Sequence, residues 1–169
     1  MIVFKYIILF ILLLSSSYIG ILVSKKYGNR VNELKQMKNA LSILSAQIQF
    51  TYEPLPKIFL EISNKMNTNI GKIFNIAQEN MDQKTAGQAW VYAVENSNTN
   101  LNKEDKEIIK NLSNLLGQVD VDGQLKEIKL VDNFLDAQIE KAEQEKKKNE
   151  KLYKTLGITV GLSIVIILI

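Results

Sequence analysis

Apolar residues recur every three or four positions along most of the chain, the spacing that puts side chains on one face of an α-helix. Val31, Leu34, Met37, Leu41, Leu44 and Ile48 form the first such stripe, and it predicts a helix ending near Tyr52. The stop comes from Pro54, which has no N–H and disfavours the α conformation at Glu53. Pro56 suits the first turn of a new helix, so Pro54, Leu55 and Pro56 are a predicted structural corner. Leu55, Ile58, Phe59, Ile62 and Met66 make the second stripe, and the break at Asn67-Thr68-Asn69 offers capping residues. Ile70, Ile73, Phe74, Ala77 and Met81 make the third. Thr85 can cap a fourth helix with Ala86, Ala89, Trp90, Ala93 and Val94 inward, where Trp90 reads as a core ring among small neighbours. Asn102 caps a fifth, with Glu104 and Asp105 in a solvated first turn and Ile108, Ile109, Leu112, Leu115 and Leu116 buried. Gly117 can supply the left-handed position that ends it. A connector, Gln118–Gly123, leads to a sixth helix from about Gln124, with Leu125, Ile128, Val131, Leu135, Ile139 and Ala142 near a heptad.

Periodicity gives way to unbroken apolarity at the two ends. Ile2–Val23 and Leu152–Ile169 each approach the roughly 20 helical residues that cross a bilayer core. Lys25, Lys26 and Arg30 follow the first, and Lys146, Lys147, Lys148, Lys151 and Lys154 precede or enter the second. Basic flanks stay on the cytoplasmic side, so both ends give the same orientation. The expected organisation is a transmembrane helix over 2–23, a cytosolic six-helix bundle over 24–151 and a transmembrane helix over 152–169, with both termini across the membrane. A cleaved signal peptide is the alternative for the first segment, with Lys5 as its basic region and Ser15-Ser16-Ser17 as small residues for cleavage. Tyr27 and Tyr153 fall at interfacial positions. Gly157 and Gly161 are spaced for close helix approach, to the first span or another helix, although such spacing is commonly incidental. The fold class is all-α, its first and last helices the longest, each fused to a span and packed antiparallel to the other.

Composition removes most chemistry. The chain has 169 residues, 21 basic and 18 acidic, with no His and no Cys. Thiol chemistry, imidazole acid–base catalysis and the usual zinc sites are excluded, and no basic stripe points to nucleic acid. Asp120-Val121-Asp122-Gly123 begins like a calcium loop, but Leu125, Lys126 and Ile128 do not continue the ligand series. Gly71, Gly87 and Gly117 are isolated rather than gathered in a phosphate loop. The mixed charges from Glu140 to Lys151 read as a solvated helix face with pairs such as Glu143–Lys147. No residue is a candidate for catalysis, cofactor binding or metal ligation, so the chain is expected not to be an enzyme.

Two local patterns resemble the stage III sporulation protein AB family of endospore-forming bacteria. The first is Leu34-Lys35, Ala40-Leu41, Leu44, Gln47-Ile48 and Tyr52-Glu53-Pro54-Leu55-Pro56; the second is Leu116-Gly117, Asp120, Gln124 and Lys126. Ala89-Trp90 fits as well, and the resemblance extends over essentially the whole chain. Gln47 stands where the family usually has an acid, Glu53 replaces a Thr, and Lys57 occupies another common acid position. The family is similar to the cytoplasmic domain of the inner-membrane platform protein of type II secretion and type IV pilus systems. The resemblance therefore implies a platform component of a secretion-like channel supporting forespore development. It implies a place in the mother-cell membrane around the forespore, within an oligomeric stage III complex, with the bundle docking a partner ATPase of the stage III sporulation protein AA type. Both motifs flank breaks, which makes Glu53, Asp120 and Gln124 candidate partner-surface residues. Asp120 and Gln124 have a second reading as caps of the sixth helix. A membrane-anchored helical signalling or sensor module is the alternative function.

Overall fold

The computed structural model describes residues 2–51, 53–114, 116–117 and 121–168. The described residues are all-α: α1 (Ile2–Phe50), α2 (Leu55–Lys65), α3 (Asn69–Asn80), α4 (Ala86–Asn96), α5 (Lys103–Lys110), a 3₁₀ turn (Asn111–Asn114) and α6 (Val121–Leu168). The chain divides into two compact units. The central unit is Asn32–Glu140; the terminal unit combines Met1–Val31 with Lys141–Ile169. Helices α1 and α6 contribute to both.

In the central unit, helix boundaries follow local chemistry. Pro54 occupies the N-cap of α2 in an extended conformation, and Pro56 lies in the first turn, where no N–H is needed. Thr68 caps α3 by accepting from the Gly71 N–H. Thr85 and Gln88 form a reciprocal capping box on α4, and Asn102 and Asp105 do the same on α5. The predicted stripes turn inward: Leu34, Met37, Leu41, Leu44, Ile58, Phe59, Ile62, Ile70, Ile73, Phe74, Ala89, Trp90 and Ala93 are all buried. Phe59, Phe74 and Trp90 meet edge to face, with ring centroids 5.2, 5.7 and 5.1 Å apart for the pairs 59–74, 59–90 and 74–90. The Trp90 indole donates to the Ile109 carbonyl at 2.8 Å, which pairs the one polar atom of the ring and ties α4 to α5. Gly87 permits the approach of the 3₁₀ turn, since a Cβ there would stand 2.3 Å from the Ser113 carbonyl oxygen.

Four expectations change. Helix α5 ends at Lys110 and a 3₁₀ turn follows, so Leu112 is buried from that turn and Ile108 is only half-buried. The tighter turn still brings Leu112 and Leu116 inward, which is why their spacing read as one longer helix. Helix α6 starts at Val121, three residues before the expected Gln124, so Asp122 and Gly123 are helical. Its buried row is Ile128, Val131, Leu135, Gln138 and Ala142: a strict three–four alternation that takes Gln138 in place of half-buried Ile139. Asp105 is buried, not solvated, because its carboxylate accepts the Asn102 N–H at 2.9 Å. A second buried carboxylate, Glu33, accepts from the Asn69 side chain at 3.0 Å and from the Asn100 backbone and side chain at 2.5 and 3.0 Å. It fastens α1 to the start of α3 and to the turn after α4.

In the terminal unit the two helices run antiparallel. The Ser16 hydroxyl donates to the Gly157 carbonyl at 2.7 Å, Tyr27 stacks on Tyr153 with centroids 5.8 Å apart, and the Arg30 guanidinium donates to Glu145 at 2.7 Å. A Cβ on Gly20 would lie 2.6 Å from the Tyr153 carbonyl oxygen and 3.0 Å from the Gly157 Cα, so glycine on both sides sets the helix separation. Gly161 faces Leu13 and Ser16. The Gly157/Gly161 spacing thus packs on the chain's own first helix. Arg30 is 5% exposed and engaged, unlike a solvated flank charge. Both α1 and α6 are long and apolar enough to cross a membrane.

Candidate partner interface

One end of the central unit gathers the C-terminus of α1, the corner, the N-terminus of α2 and the first turns of α6. Helix α1 closes with the Thr51 N–H on the Gln47 carbonyl at 3.0 Å, and the Thr51 hydroxyl bonds the same oxygen at 2.7 Å. The Glu53 N–H then turns back to the Thr51 hydroxyl at 3.4 Å. The Glu53 carboxylate pairs through one oxygen with the Lys57 ammonium, one turn into α2. That hydrogen bond and the adjacent charge raise the Lys57 pKa above its usual value. Glu53 and Lys57, the two departures from the family pattern at the corner, therefore answer each other. The other Glu53 oxygen is buried with no hydrogen-bond partner among the described residues.

The two motifs meet. Gly117 adopts φ +75°, a conformation that disfavours any Cβ, and the position a Cβ would take lies 3.7 Å from Leu55 of the corner and 3.5 Å from Ala86. Pro54 and Pro56 are exposed and Leu55 is half-buried beneath them. Gln124 is a half-buried residue inside the first turns of α6, beside Leu112, Leu116, Glu127 and Ile128. It lies within α6, past the first residue of that helix. Asp120, which precedes Val121 in sequence, lies outside the described residues, as do Tyr52 and Leu115.

Beside this corner lies a groove of about 510 Å³. Its α1 wall comprises Leu41, Ser42, Ser45, Ala46, Gln49 and Phe50; its α6 wall comprises Leu125, Ile128, Lys129 and Asp132. Phe50 stands at its mouth, 71% exposed. Sequence reasoning passed over this groove. The signal was available: Phe50 is off the Val31–Ile48 stripe, and Ser42, Ser45 and Ala46 are small residues on the same outer face. Of the candidate residues, Glu53 and the Pro54–Pro56 corner border this end, and Gln124 contributes packing to it.

The geometry describes a packed all-α unit and, by length and composition, two helices able to cross a membrane, with the corner and groove at one end of the packed unit. The chain belongs to the stage III sporulation protein AB family, whose model matches residues 5–169. Stage III sporulation protein AB of Bacillus subtilis (strain 168) is 28% identical over 161 residues, covering 93% of this chain and 94% of that protein. A solved structure of stage III sporulation protein AB superposes with a TM-score of 0.63 at 26% identity, over 70% of this chain and 96% of that one. Family membership assigns the chain to sporulation.

Proposed function

We propose that the protein is a two-span membrane platform subunit of a secretion-like complex that serves the developing forespore. Residues 2–23 and 152–169 would be the spans and 24–151 the cytosolic part, facing the mother cell, with both termini across the membrane. The observation that carries this reading is the family match over residues 5–169, which includes both apolar ends as well as the packed unit. The chemistry is consistent with it: the interface end offers an exposed ring, a proline corner and one ion pair, features of a docking surface and not of a reaction centre. An ATPase of the stage III sporulation protein AA type is the partner proposed for that end, with Glu53 and Phe50 at its contact and other stage III subunits around the spans.

Two experiments test it. The chain has no cysteine, so a single Asn98→Cys in the exposed turn after α4 reports topology without background. It should label with an impermeant maleimide only after the cells are opened; labelling in intact cells would sink the proposed orientation. Co-purification of the full chain with the ATPase from sporulating cells should succeed, and Phe50→Ser should weaken capture by about tenfold if the ring is a central anchor. Unchanged capture would move the contact away from this end.

A further inference from the structure

We propose that the terminal unit carries a lysine band that binds the headgroups of anionic phospholipids; this rests on the reading of α1 and α6 as membrane spans. The band comprises Lys25 and Lys26 on α1 and Lys147, Lys148 and Lys151 on α6, all exposed. The antiparallel register brings the two groups together. Tyr27 stacks on Tyr153, and the Lys146 side chain passes 3.7 Å from where a Gly28 Cβ would stand. Lys147, Lys148 and Lys151 lie between those two fixed points on α6, and Lys25 and Lys26 lie within a turn of them on α1.

The acids at this level are occupied. Glu145 is held by Arg30 at 2.7 Å and Glu150 by Lys154 at 2.8 Å. None of the five band lysines has an ion pair among the described residues. They therefore present a concentrated positive charge with no internal counter-ion. The apolar side chains Leu22, Leu152 and Leu156, all exposed, follow at once along the same helices. That succession fixes the lysines at the depth of the headgroups. Each basic residue at an anionic surface adds attraction that decays within a Debye length, whereas a zwitterionic headgroup gives no net charge to match. Orientation by the positive-inside rule needs only the sign of the flanks. The register adds convergence of both flanks on one annulus, and hence a preference among neighbouring lipids.

The test reconstitutes the full chain in phosphatidylcholine vesicles containing trace spin-labelled phosphatidylglycerol or spin-labelled phosphatidylcholine. At low salt the immobilised lipid should favour phosphatidylglycerol by about threefold, falling toward unity near 1 M salt. Replacing all five lysines by Gln should abolish the preference, and replacing them by Arg should keep it. Equal binding of the two labels by the native chain would overturn the proposal, as would an undiminished preference in the Gln variant or its loss in the Arg variant. If neither label is immobilised by the native chain, the membrane-span reading itself fails and this proposal falls with it.

Discussion

Helices α1 and α6 each pass through two units that treat apolar side chains in opposite ways. In the central unit the large side chains are inside: Leu34, Met37, Leu41 and Leu44 are fully buried from α1, as are Phe59, Phe74 and Trp90 from the helices around it. In the terminal unit most of them face outward, with Phe10 61% and Ile167 81% exposed although Leu9 is buried, while the closest approach of the two helices is at Gly20, Gly157, Gly161 and Ser16. A helix pair in water gains by burying large apolar groups. A pair in lipid gains nothing that way, since the surrounding tails are equally apolar, and associates through close backbone approach and hydrogen bonds. The Phe59–Phe74–Trp90 cluster is of the first kind; the Ser16–Gly157 bond and the Gly20–Gly157 contact are what the second kind would use, in keeping with the proposed spans.

The largest expected effect comes from breaking the contrast at its core. Trp90→Ala removes a fully buried ring and the hydrogen bond to Ile109, at a cost of about 3–5 kcal/mol. Phe10→Ala removes a ring of comparable apolarity from the terminal unit and should leave denaturant unfolding of the central unit unchanged. Circular dichroism of the full chain in detergent compares the two; equal losses would contradict the proposed placement of Phe10 on a lipid-facing surface. The converse substitution is Gly20→Ile. Small-to-large changes in packed contacts cost about 1–3 kcal/mol, and here the added atoms meet backbone that cannot rotate away. A Leu13→Cys/Gly161→Cys pair, which spans the same contact, should cross-link readily in the native background and poorly with Gly20→Ile. Undiminished cross-linking would show that the glycines do not set the helix separation.

Much of this was legible in the sequence, because periodicity and caps are local. The stripes of α1 to α4, the Thr68, Thr85 and Asn102 caps, the proline corner and the left-handed Gly117 all follow from residues within a turn or two of one another. What was missed depends on distant partners. Asp105 reads as solvent-facing until its carboxylate is seen to close a capping box, although the Asn102-x-x-Asp105 spacing was a signal. Glu33 shares a heptad register with Met37, Ala40 and Leu44, yet only Asn69 and Asn100 explain a carboxylate there. The α1/α6 groove requires two elements far apart in sequence. Gly117 is the test of the local kind of inference. Its would-be Cβ has ordinary room beside Leu55 and Ala86, so Gly117→Ala should cost only the backbone term, about 1–2 kcal/mol, while Gly117→Asn should recover part of it. An alanine variant as stable as the native chain would remove the positive φ from the account of why this motif carries glycine.

The smallest effect concerns ion pairs, for which the two units again differ. In the terminal unit Arg30 is nearly enclosed and pairs with Glu145. In the central unit Lys38 remains a quarter exposed and bridges Asp132 at 3.1 Å and Asp136 at 2.6 Å, two acids one turn apart on α6. Burial alone would lower the Lys38 pKa, but the bonds to Asp136 and Asp132 together outweigh it and raise the value. A raised folded pKa means that the stabilisation is complete below the unfolded value, about 10.4, and disappears as pH rises through the folded one. Lys38→Met should therefore cost about 0.5–1 kcal/mol near neutrality, less in high salt. The gap between native and variant unfolding curves should hold to about pH 10 and narrow above it. The Arg30 pair should show no such alkaline loss, since a guanidinium stays charged throughout that range. Curves for Lys38→Met that run parallel to the native chain through the whole alkaline range would mean that the bridge is a surface contact with no part in holding α1 against α6.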